Sequence, residues 1–146
     1  MKYGLDDENV KEESVAEETA IDKKKRAPFA YWNVGGREYK LKLTTAVICQ
    51  LEDKFKCNLL NILSNSGGVP PLAIMLSITQ GAMKSWEHGV KYADVQAMFD
   101  KYCEEGGTQL SFMADVLMPI YSVSGFFSED QQTEMDRKLE EVKEVM

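Results

Sequence analysis

One histidine, His88, stands in a chain of 146 residues, and its scarcity removes most acid–base and imidazole–metal chemistry. His88 lies in Trp86-Glu87-His88-Gly89 with no serine or cysteine nucleophile beside it in a motif, so no catalytic role is expected. Three cysteines are an odd number without framework spacing. Cys49 and Cys57 would sit about 12 Å apart along a continuous helix, too far to share one metal. All three thiols are expected to be small buried hydrophobes of a reducing compartment. No apolar stretch reaches the roughly 18 to 20 residues of a membrane span. The acidic, polar N-terminus has no apolar core of a signal peptide, so none is expected. With a net charge of −7 and a pI near 4.8, the chain lacks the basic stripe of a nucleic-acid binder. Its one basic run is Lys23-Lys24-Lys25-Arg26. The pairs Gly35-Gly36, Gly67-Gly68 and Gly106-Gly107 fit turns and helix stops, because none has phosphate-loop spacing. No cofactor and no metal site is expected.

What the chain does have is an aromatic hairpin feeding a helix. Phe29-Ala30-Tyr31-Trp32-Asn33-Val34 and Arg37-Glu38-Tyr39-Lys40-Leu41-Lys42-Leu43 alternate as strands, and Gly35-Gly36 suits a primed two-residue turn. That loop sets Val34 opposite Arg37, Trp32 opposite Tyr39 and Ala30 opposite Leu41. Ala30, Trp32, Val34, Tyr39, Leu41 and Leu43 then share an inner face. Tyr31, Asn33, Glu38, Lys40 and Lys42 share the outer one, where Tyr31 and Lys40 are placed for a cation–π pair. A lone two-stranded ribbon is marginal, and both its edges are expected to be open. This chain's own helices, another copy or a client must cover it.

Residues 1–27 read as a disordered acidic leader. Residues 28–127 read as one domain, the hairpin plus a helical core. Thr44 or Thr45 caps a first helix whose Val47, Ile48, Leu51 and Phe55 form a stripe. A short helix at Leu59–Leu63 and a loop follow. Pro70-Pro71 opens a helix from Leu72 to about Trp86, apolar on most sides and therefore central. Asp94 to Glu105 turns Val95, Met98, Phe99 and Tyr102 inward. After Thr108 the next helix carries Pro119 within its apolar pattern and should kink there. Ser128 to Gln131 reads as a capping box starting an amphipathic helix over 128–146. Its apolar residues Met135, Leu139, Val142 and Met146 make a narrow seam. The fold class expected is α+β, predominantly α: an N-terminal hairpin and a bundle of about five or six helices. The candidate protein-interaction residues are Phe29, Tyr31 and Lys40 on the hairpin and Met135, Leu139, Val142 and Met146 on the last helix.

The run Gly36-Arg37-Glu38-Tyr39-Lys40-Leu41-Lys42-Leu43-Thr44-Thr45, then Gln50-Leu51-Glu52, then Asn58-Leu59-Leu60-Asn61-Ile62-Leu63, resembles the tail assembly chaperones of long-tailed phages and prophages of Gram-positive bacteria. The likeness spans residues 30 to 127 in order and character, and it carries no catalytic signature. It implies a non-catalytic protein of the bacterial host cytoplasm that binds the tape measure protein during tail morphogenesis. It also implies contact with the tail tube protein and homo-oligomerisation, with no part for nucleic acid or membrane. The alternative is a small helical adaptor or regulator encoded by a mobile element, for which the basic run is the only support.

Overall fold

The structure, a computed structural model, describes residues 27–65 and 68–145. Among them the chain forms one antiparallel hairpin and six helices, an α+β fold that is mostly α. Strand β1 is Ala30–Val34 and β2 is Arg37–Leu41. Gly35 and Gly36 adopt φ of 63° and 77°. Two successive left-handed residues make the primed turn whose twist matches the strands, a conformation that side chains with a Cβ resist. The register is the one the turn dictates, with Val34 on Arg37, Trp32 on Tyr39 and Ala30 on Leu41.

Helix α1, Thr45–Phe55, starts where the Thr44 hydroxyl accepts the N–H of Val47, and it buries Val47 and Leu51. Helix α2 is Leu59–Asn65. Its first N–H groups are taken by the Glu52 carboxylate at Leu59 and by Asn58 Oδ1 at Leu60. Helix α3, Leu72–Met83, is the central element, with Met75, Ile78, Thr79, Ala82 and Met83 fully buried. A methyl at Gly81 would lie 2.8 Å from Val47 Cγ1, so a missing side chain is what lets α1 and α3 approach.

Helix α3 ends three residues before Trp86, where the sequence pattern placed its end. Trp86 is needed elsewhere, as described below. Helix α4 is Tyr92–Glu104. Asp94, expected to open it, sits in its first turn and accepts the N–H of Lys91. Helix α5 covers 109–123 in three parts: Gln109–Phe112, a π-helical turn Met113–Leu117, and Met118–Val123. The π turn stands directly ahead of Pro119. Proline has no N–H and its ring collides with a carbonyl one α-turn back; widening that turn relieves the collision. Helix α6, Glu129–Val145, begins with the expected box, in which Ser128 N–H donates to Gln131 Oε1 and Gln131 N–H to Ser128 Oγ.

The inner face of the hairpin closes the core. Trp32 meets Phe112 and Tyr102 edge-on, with ring centroids 5.0 and 5.8 Å apart. Phe99 packs on both of those rings. Burial pushes the Tyr102 phenol above its ordinary pKa, and a 2.7 Å hydrogen bond with Ser111 opposes that shift. Burial raises Tyr121 still further. It stays protonated and donates to the Leu59 carbonyl at 2.8 Å, tying α5 to the start of α2. The Trp32 indole N–H, by contrast, is buried without an acceptor among the described residues.

The three cysteines do not join this core. Cys49, Cys57 and Cys103 are all exposed, contrary to the expected burial. Cys49 is two positions from both Val47 and Leu51, so helical geometry turns it to the opposite side.

Candidate interaction surface

The two edges of the hairpin differ. The pairs flanking a two-residue turn exchange the ladder bonds, and alternate residues then aim their N–H and C=O groups outward. On β2 and its extension those residues are Glu38, Lys40 and Lys42. Lys40 N–H donates to Glu87 Oε2 at 2.9 Å, and Lys42 N–H donates to the Ala82 carbonyl at 2.9 Å. The Lys42 carbonyl accepts the Trp86 indole N–H, also at 2.9 Å. Glu87 holds Arg37 as well, at 3.1 Å. The turn after α3 therefore covers the β2 edge from Lys40 onward, which corrects the expectation of two open edges. Because this turn carries the cover, Trp86 lies outside the helix whose apolar pattern runs up to it.

On β1 the outward groups belong to Tyr31 and Asn33, and no group among the described residues bonds to them. Tyr31 is 44% exposed, the most exposed of the large hydrophobics among the described residues, with Trp86 at 38%. The expected cation–π pair of Tyr31 and Lys40 does not form. Lys40 Nζ sits 4.6 Å from the centroid of Phe29, and Lys42 Nζ 5.7 Å from the same ring. Phe29 wins because it is half-buried and anchored at 5.0 Å, nearly perpendicular, against Trp86. Fixed in place, that ring offers the lysines a preorganised face.

At the start of β1 an apolar groove of about 350 Å³ opens between the hairpin, the second half of α5 and α6. Ala27, Phe29, Met118, Pro119 and Leu139 line it, and Asp136 is its one charged member. Two residues singled out from the sequence, Phe29 and Leu139, are thus brought together. Leu139 packs partly buried against the core. Tyr31 and Lys40 lie on the adjoining outer face. Met146 and the side chains of Met135 and Val142 lie outside the described residues, as does the acidic leader through Arg26. The sequence marks Pro119 only as a kink and does not mark Ala27 or Met118, since nothing local makes the three neighbours of Phe29.

His88 is exposed in the covering turn. Among the described residues no three His, Cys, Asp or Glu side chains are grouped to hold a metal ion, and no helix is long and apolar enough to cross a membrane. The arrangement offers adhesion: an open strand edge, a cationic aromatic face and a groove.

Residues 24–146 match the profile of DUF6096, described as a family of unknown function. The chain belongs to that family. The DUF6096 match takes in the hairpin and all six helices, with every candidate residue named above. No curated protein and no solved structure matches the chain.

Proposed function

We propose that this protein is a non-catalytic tail assembly chaperone, which holds the tape measure protein of a phage or prophage in the bacterial host cytoplasm while the tail is built. The observation that carries the reading is the groove between Phe29 and Leu139. An amphipathic helix presents apolar anchors one turn apart, and a groove lined by Phe29, Met118, Pro119 and Leu139 suits them. The resemblance supports the same reading, since its residues make up β2, α1 and α2. The tail tube protein is a second partner on this account, and a homo-oligomer is the working form.

Co-expression with a tape measure fragment tests it. The fragment is expected to stay in solution and elute with the wild-type protein, and Leu139→Glu is expected to release it. A fragment that remains insoluble, or that the wild-type and Leu139→Glu proteins hold equally, overturns the proposal.

A further inference from the structure

The outer edge of β1 holds two N–H groups and two carbonyls, those of Tyr31 and Asn33, with no partner among the described residues. Such an edge attracts another strand, and proteins usually blunt it with lysine, proline, a bulge or a covering element. β1 has none of these. Its five residues are uncharged and free of proline, and its register against β2 runs without a bulge. The exposed run is short and bounded: Pro28 precedes it, and at its end the Gly35 N–H is taken by the Glu105 carboxylate at 3.1 Å.

We propose that a second copy of this chain occupies the edge, β1 pairing antiparallel with its counterpart about a twofold axis at Trp32. Tyr31 then faces Asn33 of the partner subunit, and Asn33 faces Tyr31 of the partner subunit. Each facing pair exchanges two hydrogen bonds, so four bonds use every outward group of both strands. The contact is self-complementary, as a closed twofold dimer requires. Charge does not oppose this occupant. The hairpin register sets Lys40 beside Tyr31 and Glu38 beside Asn33. Each row across the joined sheet therefore reads Lys40, Tyr31, then Asn33 and Glu38 of the partner subunit. The two border charges are three strand spacings, about 14 Å, apart and do not pair, but the facing positions are uncharged and no like charges stand opposite, although each copy carries −7. The product is a four-stranded sheet in place of a marginal ribbon. This pairing stands on the hairpin alone and holds whichever client the groove takes.

The test is a charge exchange at the seam, read by sedimentation across a dilution series without any client present. Tyr31→Lys with Asn33→Lys sets lysine against lysine at both facing positions and is expected to weaken self-association by about tenfold or more. Tyr31→Lys with Asn33→Glu sets lysine against glutamate and is expected to associate at least as well as the wild type. General repulsion between acidic chains predicts the reverse order, since the double-lysine variant is the less anionic. In the wild type, amide exchange at Tyr31 and Asn33 is expected to slow at high concentration and quicken on dilution. A wild-type chain that sediments as a monomer throughout, equal behaviour of the two variants, or concentration-independent exchange at both amides overturns the proposal.

Discussion

The two borders of one small hairpin are finished in opposite ways. β2 and its extension hand the Lys40 N–H and both backbone groups of Lys42 to Glu87, Ala82 and Trp86, residues forty or more positions further along the chain. β1 hands its own to nothing among the described residues. β2 carries Arg37, Glu38 and Lys40 where β1 is uncharged, yet the bonds that cover β2 come from distant residues, so the cover is tertiary. Helix α3 brings its C-terminal turn beside β2, and no described residue bonds to the outward backbone groups of β1. Among the described residues, one border is covered from Lys40 onward and the other is not.

Four substitutions would break or sharpen this contrast. The largest effect is expected from Trp32→Ala. Removing a fully buried indole from between Phe112 and Tyr102 should cost about 3–5 kcal/mol in denaturant unfolding and loosen both borders together. Glu87→Ala comes next. It strips the Lys40 N–H and the Arg37 guanidinium of a largely buried partner, at about 1.5–3 kcal/mol. Faster amide exchange at Lys40, with Tyr31 unchanged, would show that the borders are independent. Trp86→Phe keeps a ring beside Phe29 but removes the donor to the Lys42 carbonyl, for about 1 kcal/mol. Tyr31→Ala is expected to change folding stability by less than about 0.5 kcal/mol while weakening self-association. Equal losses of melting temperature for Tyr31→Ala and Trp32→Ala would mean that the two faces of β1 are not distinct.

The hairpin was legible because its cues are local. Two glycines fix a two-residue turn, the turn fixes the register, and alternation names the buried face. Thr44 and Ser128 announced their helices for the same reason. What escaped were relations between distant segments. Nothing around Lys40 indicates that a glutamate forty-seven residues on will take its N–H. Trp86 fitted the apolar pattern of α3 and was read as its last turn, yet it is held by the hairpin. Residue type suggests buried cysteines, although helical phase turns Cys49 outward. For the candidate surface, apolar and aromatic character pointed to Phe29 and Leu139. Their meeting across Met118 and Pro119 depends on how α5 bends and where α6 returns, which no local spacing encodes.

The outward cysteines have a practical consequence. Cys49 on α1, Cys57 just beyond it and Cys103 on α4 are all exposed free cysteines, so the unaltered polypeptide already carries attachment points for fluorophores or nitroxide probes. Each can be labelled without prying open the interior, and inter-probe separations would then report how neighbouring molecules are arranged.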